Sequence, residues 1–194
     1  CLISPDDALD RAGSTGKEFF FTRVRVVNEA GDDCGPDEPG EVLVKGPHIM
    51  VGYLNREDAT AESIVDGWLR TGDVAVMDPD GFVYIQDRVK DMIISGGENV
   101  YPAEIENAIF GMEGVNEVAV IGIPSEKWGE SPLAVVVRAD DSVTEDAVLD
   151  HVSGKLARFK QPKKVEFVDV IPRNPTGKVL KRVLRDQFAD VSAE

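Results

Sequence analysis

Two unbroken apolar runs, residues 118–123 and 133–137, dominate the hydrophobic pattern of the second half of the chain. Runs of that length with no polar alternation predict strands covered on both faces. Around them the period becomes helical. Pro102 suits a first helical position, and Ile105, Ala108, Ile109 and Met112 follow at i, i+3, i+4 and i+7 as one apolar stripe. Thr144 can cap a second helix, with Glu145 and Asp146 in its first turn and Val148, Val152 and Leu156 on its buried side. Val165, Phe167 and Val170 mark a third strand. Leu180, Val183, Leu184 and Phe188 mark a last helix that exposes Lys181, Arg182 and Arg185. The first half reads differently. Residues 20–27 are apolar-rich but interrupted by Arg23 and Arg25, and residues 41–45 form a short strand pattern. Gly31-Asp32-Asp33 and Gly35-Pro36 supply turn chemistry between them, and Asp78-Pro79-Asp80-Gly81 precedes a strand at 82–86. The expected fold class is α+β. A β-rich segment, 1–87, is followed by a small α/β domain, 88–194, with a three-stranded sheet and three helices.

Charge changes this picture in one place. The 194 residues carry a net charge of −15, which argues against a nucleic-acid partner. Residues 155–185, however, hold ten basic side chains against only Glu166 and Asp169. That excess fits either a solvated face or a site for a small polyphosphate. No apolar run reaches the roughly 18–20 residues of a transmembrane helix. Cys1 and Cys34 make no disulfide framework, so a reducing, cytoplasmic setting is expected.

Several common chemistries find no support. Residues 13–17 read GSTGK, without the full spacing or the trailing hydroxyl of a phosphate loop, and no G-x-G-x-x-G occurs. His48 and His151 lie far apart without a cysteine or acidic cluster, which predicts neither a metal site nor a histidine triad. Three segments carry more. In Trp68-Leu69-Arg70-Thr71-Gly72-Asp73, a carboxylate held by a tight turn can accept two hydrogen bonds from a vicinal diol; an ordinary turn aspartate has the same pattern. In Asp87-Arg88-Val89-Lys90-Asp91, running on to Ser95-Gly96-Gly97-Glu98-Asn99, an arginine can donate to ribose or phosphate oxygens. The paired glycines there let a backbone approach a ligand, or simply close a hairpin. In Pro172-Arg173-Asn174-Pro175-Thr176-Gly177-Lys178, a stiffened loop holds a lysine at its tip. It is either a compact charge for a phosphoryl reaction or an exposed residue before a helix.

In this order and spacing, WLRTGD, DRVKDMIISGGENVYPAEIE and NPTGK resemble the adenylate-forming enzymes: acyl-CoA synthetases, carrier-loading adenylation domains and firefly-type luciferases. The resemblance runs from about Gly16 to Phe188. It takes in the GEVLVKG stretch at 40–46, Gly52-Tyr53-Leu54, Ile123-Pro124 and Trp128-Gly129-Glu130. ISGGENVYPAEIE and IPRNPTGK look most like bacterial fatty-acyl-CoA ligases.

That resemblance implies that 1–87 is the β-barrel-like end of a large N-terminal domain, and that 88–194 is a mobile C-terminal domain. Asp73 matches the aspartate that binds both ribose hydroxyls of ATP, and Arg88 matches the ribose-binding arginine. Lys90 occupies the hinge position. Lys178 matches the lysine that contacts the acyl carboxylate and α-phosphate. Gly96 and Gly97 fall where backbone lines the pantetheine tunnel. Asn99 stands where some relatives carry a phosphate-binding arginine, so that role does not transfer. The implied reaction joins a small-molecule carboxylic acid to CoA through an acyl-adenylate, with ATP and Mg2+. The magnesium ligands, the phosphate loop and the acyl pocket are expected in an N-terminal part of the same enzyme. The chain alone is therefore expected to be inactive. A carrier-loading enzyme and a non-catalytic interaction fragment are the alternatives, and exposed sheet edges in 1–87 leave homo-oligomers open.

Overall fold

The computed structural model describes residues 1–193 and divides into two compact units, Cys1–Lys90 and Asp91 onward. Among the described residues no helix is long and apolar enough to cross a membrane.

The first unit is built on one five-stranded antiparallel sheet of β1 (Arg23–Val27), β2 (Gly40–Lys45), β3 (Ile64–Val65), β4 (Trp68–Met77) and β5 (Val83–Arg88). Alternation in β1 sends Val24 and Val26 inward, where they meet Val42, Ala75 and Val83. β4 is long enough to serve several neighbours. Its start pairs with β3, its other edge with β2, and its end with β5 across the Asp78–Gly81 turn. Two short helices, α1 (Asp7–Asp10) and α2 (Glu57–Ser63), bury no residue, which is why no apolar stripe announces them.

The second unit also has five strands, not the expected three. A 3-10 turn (Val89–Asp91) leads into the hairpin β6 (Ile93–Ser95) and β7 (Glu98–Val100). Then come α3 (Pro102–Phe110), β8 (Val115–Ser125), β9 (Gly129–Arg138), α4 (Glu145–Ser153), β10 (Lys164–Phe167) and α5 (Lys181–Gln187). The two added strands are three residues each, too short to show a period. They join the sheet through the Ser95–Gly129 pair.

β8 and β9 are the covered strands. One face carries Val120, Ala134 and Val136 against Ile105 and Ile109 of α3 and Val148 and Val152 of α4. The other carries Ile121, Leu133 and Val135 against Ile171 and Leu184. Two apolar faces explain the unbroken runs. Thr144 caps α4 as expected, its side chain accepting from the Ala147 amide at 3.2 Å. β10 stops at Phe167, and Val170 is 71% exposed instead of sitting in the sheet. In α5 only Leu184 is fully buried; Leu180 and Val183 stay more than a third exposed.

Candidate functional site

Asp73 does not sit in a tight turn. It lies inside β4, at a bulge. Between the pairs Leu43↔Arg70 and Glu41↔Val74, three residues of β4, Thr71, Gly72 and Asp73, oppose Val42 alone. The motif's residue types account for this shape. The Thr71 hydroxyl donates to the Val42 carbonyl at 2.9 Å and accepts from the Asp73 amide at 3.1 Å. Gly72 takes φ +70°, and its amide donates to a Glu41 carboxylate oxygen at 3.2 Å. The other Glu41 oxygen pairs with Arg70.

The bulge puts Asp73 directly across from Arg88 of β5, and their side chains meet at 2.8 Å. Two residues fifteen apart in sequence thus form one polar unit. An ion pair this exposed contributes only about 0–1 kcal/mol to stability. Its chemical use is to present an oriented carboxylate and a guanidinium side by side. The carboxylate can accept from hydroxyls, and the guanidinium can donate to them or to phosphate oxygens.

Lys90 ends the first unit in the 3-10 turn, exposed and without an ion-pair partner among the described residues. The next residue is fixed. Asp91 is buried and pairs with Arg185 of α5 at 2.9 Å. The sequence motif contained Asp91, but a partner 94 positions away gave it no visible role.

Gly96 and Gly97 form the two-residue loop of the β6–β7 hairpin, with φ +63° and +87°. Positive φ at both central positions is the pattern that matches hairpin twist. Gly96 has a second reason to be glycine. Its amide donates to the Trp128 carbonyl at 2.8 Å, and a Cβ there would lie 2.7 Å from the Trp128 ring. At Gly97 a Cβ would meet nothing.

Beside this loop opens a cleft of about 570 Å³, lined by Gly96, Lys127, Trp128, Arg158, Phe159 and Lys163. Glu98 adds one carboxylate. Three cations and two aromatic rings suit an anion that carries a flat ring. Sequence reasoning missed the cleft. Its one clue was the basic excess within 155–185, whose Arg158 and Lys163 fall here.

Lys178 stands at the tip of a closed loop, exposed, with no hydrogen-bond or ion-pair partner for its ammonium group among the described residues. Arg173 ties the loop to the sheet. It pairs with Glu117 of β8 at 2.6 Å and donates to the Gly177 carbonyl at 2.8 Å. Glu117 is near the start of β8, whereas the Gly96 hairpin joins β9 at Gly129, opposite Ser125 at the end of β8. Eight residues of strand, about 26 Å, separate those anchor points. The structure therefore joins Asp73 to Arg88 in one unit. In the other it sets Lys178 and Gly96 at opposite ends of a sheet.

Partial burial, with Glu38 and Asp33 nearby, pushes the Cys34 thiol pKa up, which disfavours the thiolate. No group of three or more His, Cys, Asp or Glu side chains among the described residues could hold a metal ion.

Comparison with known proteins agrees with the motifs. Residues 1–54 match the AMP-binding enzyme family, and residues 104–178 match the AMP-binding enzyme C-terminal domain. A long-chain-fatty-acid–CoA ligase of Mycobacterium tuberculosis is 52% identical over 97% of this chain, and a feruloyl-CoA synthase of Amycolatopsis is 49% identical over 92%. The chain spans 37% of the length of each of these relatives. Among solved structures, o-succinylbenzoate CoA synthetase from Bacillus subtilis with its acyl-adenylate intermediate superposes with a TM-score of 0.89 at 40% identity. That match covers 95% of this chain and 38% of the other. ATP-bound MatB from Rhodopseudomonas palustris gives 0.86 at 43% identity, covering 92% and 36%. The chain belongs to the adenylate-forming, AMP-binding enzyme family, with residues 1–54 matching that family and residues 104–178 its C-terminal domain.

Proposed function

We propose that the full-length protein carrying this chain is an AMP-forming acid–thiol ligase. A carboxylate attacks the α-phosphorus of ATP, giving acyl-adenylate and pyrophosphate; the CoA thiol then attacks the acyl carbon, and AMP leaves. Asp73 and Arg88 hold the ribose. Lys178 stabilises negative charge in the first step. Lys90 is the hinge about which the second unit turns, and Gly96 and Gly97 then present the backbone along which the pantetheine arm lies.

One observation carries this reading: Lys178 and the Gly96 hairpin are anchored at opposite ends of β8. A rigid unit cannot offer both to one reacting centre in a single orientation. Two chemical steps served in turn by two ends of one unit make sense of the separation. The cleft beside Gly96 favours free CoA over a carrier protein. CoA brings an adenine and phosphates that aromatic rings and cations can hold, whereas a carrier's phosphopantetheine arm lacks the nucleotide. A fatty acid is the favoured acyl group, because the 52% identical relative is named for long-chain fatty acids.

Two experiments test the reading. In the full-length enzyme, Asp73→Ala raises KM for ATP about 10- to 100-fold, the loss expected for hydrogen bonds to a charged group. The thermal midpoint barely changes, because the exposed pair adds little stability. An unchanged KM rejects the ribose-binding role. The isolated chain is expected to show no pyrophosphate exchange with ATP and a panel of fatty, aryl and short-chain acids; robust turnover rejects the division of the active site between this chain and the rest of the enzyme.

A further inference from the structure

We propose that Asn174 is a positioning residue for the adenylation step, holding Lys178 in place through its side-chain oxygen. This rests on the role given to Lys178 above. The Asn174 Oδ1 accepts three hydrogen bonds: from the Thr176 amide at 3.0 Å, the Thr176 hydroxyl at 2.8 Å and the Lys178 amide at 2.9 Å. Only the oxygen of a side-chain amide can accept three donors, so the chemistry fixes which way the group points. The main chain of Asn174 closes the same ring. Its amide donates to the Lys178 carbonyl at 2.9 Å, and its carbonyl accepts from the Gly177 amide at 2.9 Å.

The rest of the loop is shaped to allow this. Pro175 locks its own φ, and Gly177 adopts φ +87°, which a side chain would strain. No other polar side chain contacts the backbone of Lys178 among the described residues. The lysine Nζ lies several freely rotating bonds from its Cα, and its ammonium group has no hydrogen-bond or ion-pair anchor among the described residues. Placement of the charge is therefore inherited from the backbone at 178, whose carbonyl the Asn174 main chain holds and whose amide the Asn174 side-chain oxygen holds. Arg173 braces the neighbouring Gly177 carbonyl and fastens the loop to Glu117, but its side chain makes no bond to Lys178 itself.

The experiment compares Asn174→Ala and Asn174→Asp with Lys178→Ala in the full-length enzyme, assaying pyrophosphate exchange and thioester formation from supplied acyl-adenylate separately. Asn174→Ala is expected to lower exchange about 10- to 100-fold, the scale set by misplacing a reacting group by about 1 Å. Thioester formation stays within about twofold. Asn174→Asp keeps an acceptor oxygen at the same position and restores most of the exchange. In the full-length enzyme, amide hydrogen–deuterium exchange at Lys178 accelerates in Asn174→Ala and returns toward the parent rate in Asn174→Asp. Loss of exchange in Lys178→Ala with none in Asn174→Ala overturns the positioning role alone. Equal loss of both half-reactions in Asn174→Ala overturns it as well, since that marks general damage. Retention in both Lys178→Ala and Asn174→Ala overturns the reading beneath it.

Discussion

Lys178→Ala in the full-length enzyme is expected to reduce pyrophosphate exchange about 100- to 1,000-fold, the usual loss when one charge-stabilising group is removed from a transition state. It should leave CoA transfer from supplied acyl-adenylate within about threefold of the parent. The asymmetry follows from the geometry. Lys178 is held at the Glu117 end of the sheet, and the Gly96 hairpin is at the other. A step served by the far end does not need the ammonium group. The lysine is also free for the task, because it is exposed and bound to no carboxylate among the described residues. Its neighbours in the fold include basic side chains that are engaged: Arg173 with Glu117, Lys181 with Glu106 and Arg185 with Asp91. Lys178→Arg should recover only part of the exchange. A planar fork keeps the charge but not its compact placement. Quenched-flow measurement of acyl-adenylate, alongside the thioester assay, separates the outcomes. Equal loss of both steps would remove Lys178 from its assigned role.

How far the sequence revealed this site depends on whether each determinant is local. The NPTGK loop is local in every respect. Its proline, its glycine and the Asn174 acceptor lie within five residues, so the loop was readable as a stiff lysine-bearing tip. The covered strands β8 and β9 were equally plain, because both faces are apolar. Asp73 was harder. Its motif is local, but the bulge exists only because β2 lies alongside and supplies the Val42 carbonyl and the Glu41 carboxylate. Read without that partner, Thr-Gly-Asp looks like a turn. β6 and β7 were missed for a related reason, since three-residue strands have no period and gain their identity from pairing. The cleft was invisible because Gly96, Trp128 and Arg158 come from three separate stretches of chain. The sheet topology brings them together.

Gly96→Val supplies the mirror-image lesion. Valine is branched at Cβ and resists the φ of +63° found here, and its Cβ would lie 2.7 Å from the Trp128 ring. The backbone strain costs on the order of 1–3 kcal/mol, which the fold should survive. Trp128 is 43% exposed and can swing outward, so the clash is relieved at the cleft and not in the core. That relief is what damages function. It moves one wall of the cleft and roughens the hairpin on which the pantetheine arm is proposed to lie. The expected result is a fall of about 100-fold in thioester formation from supplied acyl-adenylate, with pyrophosphate exchange within about threefold. Tryptophan fluorescence should shift as Trp128 becomes more exposed, while far-UV circular dichroism stays constant. Gly97→Ala is the control for strain without collision: its φ is +87°, but its added methyl meets nothing. It should disturb the fluorescence little and slow CoA transfer less than Gly96→Val. If Gly96→Val impaired both half-reactions alike, the hairpin would be a folding element rather than a surface for the thiol substrate. If it impaired neither, CoA would have to approach from elsewhere, and the separation of Lys178 and Gly96 along β8 would need another explanation.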